Sequence, residues 1–254
     1  MSSAAELRDR TVAGEGPTVG MVPAAVASFR TEYRSEHIGA HYSGAVHFAF
    51  TSIASLAVIA VAAVELRAAT IFELLTVPVT FLFGNYVEYR GHRGPMHRRR
   101  RGLSLLFERH TQQHHRYYTQ DAMALEGTRD FKMVLFPPVM LLFFLGAVAA
   151  PIAVVLFVVH ARNVALLYVM TAMSYFLIYE WLHLCHHTPA QGIVGRLGFL
   201  RRLRAHHQAH HDPARMTSGN FNITFPICDW LFGTCLPPPT SCIPPISPPT
   251  AGHP

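Results

Sequence analysis

At 254 residues the chain is long enough for one domain with a sizeable core. Half of its residues are hydrophobic and 14% are charged, against about 25% in a soluble domain, which excludes an ordinary water-soluble fold and suits an integral membrane protein. The net charge of +6 comes almost wholly from arginine, Lys132 being the one lysine, and its densest runs are Arg98–Arg101 and Arg201, Arg202 and Arg204. Both runs border apolar segments, so anionic lipid head groups explain them and nucleic acid is set aside as a partner.

Taken in order, residues 1–28 are small and polar with no apolar h-region, and read as a disordered lead-in rather than a cleavable signal. Residues 46–64 form a first apolar span and 70–87 a second, joined by a short turn at residues 65–69. Residues 133–159 form a third, interrupted by Pro137, Pro138 and Pro151, and 164–182 a fourth, after a break at Arg162 and Asn163. Crossing the hydrocarbon takes about 20 residues. The expected architecture is all-α, with four transmembrane helices in two hairpins under a helical cap, the third span being open to a second reading as two re-entrant segments. Residues 29–235 form the expected catalytic domain, and the proline-rich tail, 236–254, is expected to be extended or disordered.

Each hairpin turn carries one arginine, while the remaining cations gather in the other connections. The positive-inside rule then places both termini and the cap in the cytosol. The arginine and alanine bias fits a GC-rich bacterial genome, hence a bacterial inner membrane. Within residues 193–205, Ile193, Leu197, Leu200 and Leu203 recur at intervals of three or four opposite arginines, the pattern of an interfacial helix or of an amphipathic helix packed on the cap.

Twelve of the seventeen histidines fall into four clusters on the cap side: His92 and His97; His110, His114 and His115; His183, His186 and His187; and His206, His207, His210 and His211. Neutral imidazole is the commonest protein ligand for transition metals. Up to ten such ligands point to two neighbouring metal ions, because a structural zinc needs only four. On an α-helix, His110 and His114 share a face, as do His183 and His187, and His207, His210 and His211 form an i, i+3, i+4 triple. His92 and His97 lie roughly 140° off a common helical face, with Gly94 and Pro95 between them, so a bend is expected there. Glu88 precedes His92 by four residues and Glu180 precedes His183 by three. Both are candidate carboxylates to orient a ligand histidine or to bind metal directly. His186 and His206 rank below their neighbours because adjacent residues point about 100° apart. His37, His41, His47, His160 and His253 are expected at the interface or exposed. The four cysteines, Cys185, Cys228, Cys235 and Cys242, are expected to stay reduced.

These clusters, with Phe136-Pro137-Pro138 and the stretch Asn222–Thr234 containing Asp229, Trp230 and Gly233, resemble the fatty acid hydroxylase and sterol desaturase superfamily of membrane di-iron oxygenases. The resemblance runs from about Phe29 to Pro237. It implies ten metal ligands: His92, His97, His110, His114, His115, His183, His187, His207, His210 and His211. It also implies a positioning role for Asp121, six residues after His115, and for Asp229 within a buried Asp-Trp pair. Three residues separate His110 from the His114–His115 pair, where the acyl-chain hydroxylases usually have two, and no fused b-type haem domain is expected.

The resemblance implies two iron ions, replaceable by zinc during purification, with O₂ as co-substrate and electrons from a separate ferredoxin or haem cytochrome with its reductase. The implied reaction is hydroxylation of an unactivated C–H on a fatty acyl, sphingolipid or aminolipid chain. A sterol or carotenoid desaturase or ring hydroxylase shares the same metal site. Phe131, Phe136, Tyr175, Phe176 and Tyr179 read first as span packing and second as the lining of a lipid slot. A histidine-rich metal transporter is the reading of another class, but the spans lack ionisable residues along a path and the histidines gather at one end.

Overall fold

In a bilayer a lipid-exposed backbone must satisfy its own polar groups, so long apolar runs fold as helices. The computed structural model describes residues 22–189, 192 and 196–237. Among these it is helical, without strands apart from one isolated bridge between Thr119 and Ala122. Four helices are long and apolar enough to cross a membrane: Gly44–Glu65, Ile71–Met96, Thr128–Val158 and Arg162–His187. In the fourth, 56% of the most apolar stretch is buried, against 11% in the second. The fourth span is therefore the central post, and it packs on the first, second and third. The outer faces of the first and second spans expose Val46, Phe50, Val61, Val79 and Leu82, an apolar girdle suited to lipid.

Two close approaches set the packing of the spans. The first span passes so near the start of the third that a Cβ on Gly44 would lie 1.8 Å from the Thr128 carbonyl oxygen. Trp181 donates its indole N–H to Ser52 Oγ at 3.0 Å, joining the fourth span to the first. Both hairpin turns lie at the end away from the histidine clusters. Thr70 caps the short helix Ile71–Leu74, with Glu73 returning the bond. Arg162 pairs with Glu65 across the two turns, and Asn163 accepts the Arg67 backbone N–H.

The third span continues to Val158 as one membrane-length unit, broken at Leu135–Pro137 and wound more loosely over Phe144–Ala149. Proline cannot donate into the helix, and two side chains from neighbouring spans occupy the break. Glu180 accepts the Phe136 N–H, and His47 bonds the Phe136 carbonyl at 2.9 Å. His47 is buried for this reason, contrary to its expected place at the interface.

The helix Ala24–His37 begins inside the stretch expected to be a disordered lead-in; residues 1–21 lie outside those described. It carries Arg30, only 1% exposed, which donates to the carbonyls of Tyr117 and Ala122 and pairs with Glu126. One turn on, Arg34 grips Asp130 with two bonds, at 2.9 and 2.8 Å. A buried cation is tolerated only with such partners. Together these bonds fix the segment bearing the second histidine cluster. The cap is completed by the helix Gly198–His210 and the segment 219–234. On that helix Leu203 is buried while Phe199, like Leu197 just before it, is exposed, and residues 193–195 lie outside those described. The proline-rich tail from residue 238 onward is likewise outside them.

Candidate metal centre

Backbone winding decides how the clusters divide. His92–Met96 and Glu108–His114 are π-helical turns, whose i→i+5 hydrogen bonds bring residues five apart to roughly one side. His92 and His97 therefore stack, with ring centroids 5.0 Å apart, across the Gly94-Pro95 step where a bend was expected. The second π-turn brings His115 Nε2 to 3.1 Å from His110 Nε2 and turns His114 Nε2 toward His183. His110 and His114, expected to share a face, do stack with ring centroids 5.3 Å apart, but they fall in different groups.

Two groups of buried imidazoles result. His92, His97, His110, His115 and His210 form the first, and His114, His183, His187 and His207 the second, each with ligand atoms within 4.8 Å of one another. His207 and His210 thus serve different groups, although both sit on the helix Gly198–His210. His211 stands between them: its Nε2 lies 3.0 Å from His207 Nε2 and its ring stacks on His115 at 4.3 Å. Nine of the ten expected ligands fall within the two groups, and the tenth touches both.

The first group holds Nε2 contacts of 2.7 Å for His92–His110, 2.9 Å for His97–His210 and 3.1 Å for His110–His115. The second holds 3.2 Å for His187–His207 and 3.3 Å for His114–His183. With metal–nitrogen bonds of about 2.1 Å, ligands at right angles stand about 3.0 Å apart and tetrahedral ones about 3.4 Å. The first group, with five nitrogens of which three pairs stand near the shorter spacing, fits a centre of more than four ligands. An all-imidazole donor set suits iron, zinc, copper or nickel.

The other ring nitrogen fixes the tautomers. A carbonyl oxygen only accepts, so each Nδ1 facing one carries the proton. That holds for His92 on Phe221, His114 on Met133, His187 on Met123, His210 on Gly219 and His211 on Tyr118. Thr111 donates to the Met96 carbonyl and so accepts from His97 Nδ1. The Nε2 atoms of all six then present lone pairs to the centre. Burial and the neighbouring His210 and His114 rings push His97 down to about 2, and burial pushes His114 to about 4. His110, His115, His207, His210 and His211 are also held well below the usual imidazole value by burial, then by neighbouring imidazoles. The rings therefore stay neutral, and the facing lone pairs call for a cation between them. The residues present fit two bound metal ions.

One segment positions much of the first group. Successive odd-numbered carbonyls of residues 219–223 accept His210, His92 and His186. Asp229, fully buried, holds this segment by accepting the N–H groups of Phe221 and Asn222, the Thr234 hydroxyl and His206 Nε2. Burial would raise its carboxyl, but these bonds outweigh burial and hold it below the ordinary aspartate value. Of the Asp-Trp pair only Asp229 is buried, since Trp230 is 68% exposed.

The other expected carboxylates act differently. Glu88 accepts the N–H groups of Ile223 and Thr224 and the hydroxyls of Thr224 and Tyr175, so it reaches His92 only through the 219–225 segment. Glu180 bonds the backbone of Phe136 rather than His183. Asp121 is exposed in the Thr119–Ala122 turn, which carries it away from the rings. His186 and His206 belong to neither group; each spends its Nε2, on the Ile223 carbonyl and on Asp229 respectively. Cys185, Cys228 and Cys235 are free thiols outside both groups, and Cys242 is outside the described residues.

Sequence reasoning missed Asp130 and Asn85. Asp130 accepts the Tyr117 hydroxyl and Arg34, and Asn85 bonds Tyr175, the Phe225 carbonyl and the Cys228 N–H. The signal for Asn85 was an amide inside an apolar span; for Asp130 it was the distant i, i+4 pair Arg30 and Arg34.

A cavity of about 230 Å³ lies between the second, third and fourth spans, lined by Phe83, Phe136, Phe144, Tyr175, Phe176 and Tyr179, with His92 at its cap end. A smaller one of about 60 Å³ lies under His110, His114 and His183 and shares Met96, Leu106, Phe136, Met140 and Tyr179 with the first. Four of the five aromatics read mainly as packing thus line the slot, while Phe131 packs on Phe48.

Compared with known proteins, residues 77–234 match the model of the fatty acid hydroxylase family, a stretch that contains every histidine of both groups. No curated protein and no solved structure matches the chain.

Proposed function

We propose, from the premise that this chain belongs to the fatty acid hydroxylase family, that it is an O₂-dependent di-iron oxygenase hydroxylating an unactivated C–H of a lipid chain. Two bound iron ions supply the reduction of O₂ and the oxidation of the C–H bond. His92, His97, His110, His115 and His210 hold one ion; His114, His183, His187, His207 and His211 hold the other.

The observation that carries this reading is the junction of neutral, inward-facing imidazoles with an apolar cavity between membrane spans. A lipid chain lying there places its carbons under the ligand rings, and the lining of Phe136, Phe176 and Tyr179 keeps water from the reacting carbon. Carbonyls of the 219–223 segment and of Met123, Met133 and Tyr118 keep the ring protons on Nδ1 and the metal-facing lone pairs free. Electrons come from a separate protein, a ferredoxin or a haem cytochrome with its reductase. The cap faces the cytosol, on the side favoured by the exposed Arg98–Arg101 run.

The test compares total lipids, by high-resolution mass, from cells expressing the wild-type chain or His210→Ala, with iron and a donor system supplied. A lipid that gains one oxygen only with the wild type is the expected result. A species losing two hydrogens instead assigns a desaturase. No change in any lipid, from protein proven to hold two iron ions, overturns the oxygenase reading.

A further inference from the structure

On the bilayer side of the cap, next to the metal centre, a cleft of about 610 Å³ is lined by Tyr42, Val46, Phe50, Arg109, Lys132 and Pro137, among others. Arg109 and Pro137 also line the small cavity under His110, His114 and His183, so the cleft adjoins that cavity and, through it, the apolar slot. Val46 is 67% exposed and Phe50 52%. Both lie on the outer face of the first span, which makes the cleft open sideways, toward lipid.

Among the described residues the charge in this cleft has no carboxylate counter-ion. Arg109 donates to the Lys132 carbonyl at 2.9 Å and bonds the Tyr33 hydroxyl, and Lys132 donates to the His37 carbonyl. Neither meets a carboxylate among the described residues, whereas Arg30 and Arg34, in the same cap, are both paired with acids. Both cations are half-buried. Withdrawing a cation from water is costly unless an anion or dense hydrogen bonding compensates. An amphiphile resident in the leaflet offers such an anion at this depth, with its chain pointing toward the spans.

We infer that this cleft binds the anionic head group, a carboxylate or a phosphate, of a single-chain lipid whose tail passes beneath the histidines into the apolar cavity. The inference rests on the proposed function for its occupant and names the class of that occupant. Arg109, adjacent in sequence to the ligand His110, provides a planar donor fork suited to either anion. Lys132 adds a second positive charge.

The test is direct binding of radiolabelled palmitate, hexadecyl phosphate, hexadecanol and hexadecylamine to the zinc-loaded full chain in phosphatidylcholine nanodiscs, with empty nanodiscs as background. At least one anion is expected to bind ten-fold or more tightly than the alcohol and the amine. An advantage confined to palmitate assigns a carboxylate, and one confined to hexadecyl phosphate assigns a phosphate. In Arg109→Gln with Lys132→Gln the advantage should vanish, while Arg109→Lys retains part of it. Metal content equal to wild type certifies that the variants fold. Hexadecanol binding as tightly as both anions in the wild type overturns the inference, as does an anion preference that survives the double substitution. Binding needs no turnover. Failure to oxidise any lipid therefore counts against the oxygenase reading alone, and equal binding of the alcohol and both anions counts against the head-group site alone.

Discussion

His97 Nε2 and His210 Nε2 stand 2.9 Å apart with no proton available to either. The proton of His210 is on Nδ1, given to the Gly219 carbonyl, and that of His97 is on Nδ1, given to Thr111. Two lone pairs at this distance repel unless a cation lies between them. Buried acceptors left unsatisfied cost about 1–3 kcal/mol each, so metal binding stabilises the cap as well as arming it. The wild type should carry two metal ions per chain by elemental analysis, while His210→Ala and His207→Ala should each retain about one. Stripping with a chelator should lower Tm in a manner reversed by added iron or zinc. Two ions per chain in both variants would refute the division into two groups.

The 219–223 segment predicts metal loss without a ligand being touched. A Cβ on Gly219 would lie 2.1 Å from the Thr234 carbonyl oxygen, a backbone atom held by Asn220 N–H at 2.9 Å. Gly219→Ala must therefore displace the segment that orients His210 and His92. Asp229→Asn turns an amide NH₂ toward donors now accepted by a carboxylate. For each change we expect a roughly 10–100-fold loss of metal affinity, the range known for groups that orient ligands, read by competition with a chelating dye. Because the Asp229 carboxyl is held low, the unfolded chain binds its proton first as pH falls. Its contribution is thus complete above about pH 4, the unfolded value, and is lost as pH drops through the lower folded value. Unchanged metal affinity in both variants would show that the segment does not position the rings.

Glu180 separates two accounts of one residue. Its spacing from His183 suggests a carboxylate that orients a ligand, but in the structure it caps the Phe136 N–H at the proline break. Glu180→Gln keeps an acceptor and should preserve both metal content and Tm. Glu180→Leu should lower stability by about 1–3 kcal/mol, the cost of a buried donor left unpaired, while still binding two ions. If Glu180→Gln releases metal, the orienting role suggested by spacing is correct after all.

The spans and the four histidine clusters were legible in the sequence because apolar run length and histidine spacing are strong, local signals, whereas the list of ten ligands came from the resemblance. The division into two groups was not legible. It depends on π-turns at His92–Met96 and Glu108–His114, which no propensity encodes and which exchange the partners of His110 and His114. The orienting acceptors were equally hidden, since most are backbone carbonyls with no residue signature. Glu88 and Glu180 were found by spacing but given the wrong partners, because their acceptors answer to distant main-chain N–H groups. Asp121 was carried by the resemblance alone, and its side chain is exposed while Ala122 and Met123 beside it are buried.

The apolar cavity makes a prediction about chain length that is independent of head group. Ala172 on the fourth span lines the cavity beside Tyr168 and Phe176, below His92 in the direction of the hairpin turns. A buried small residue facing a void accepts a larger side chain with less strain than one inside a packed core. Ala172→Phe should therefore fold, keep two metal ions and block the far end of the slot. The oxidised lipids from cells expressing it should shift toward shorter chains, because tails reaching past Ala172 no longer fit while the carbons nearest the rings are undisturbed. A small control, Ala172→Ser, adds one heavy atom and should leave the distribution unchanged. If Ala172→Phe gives the wild-type chain-length profile at equal metal content, the lipid tail does not lie between the second, third and fourth spans.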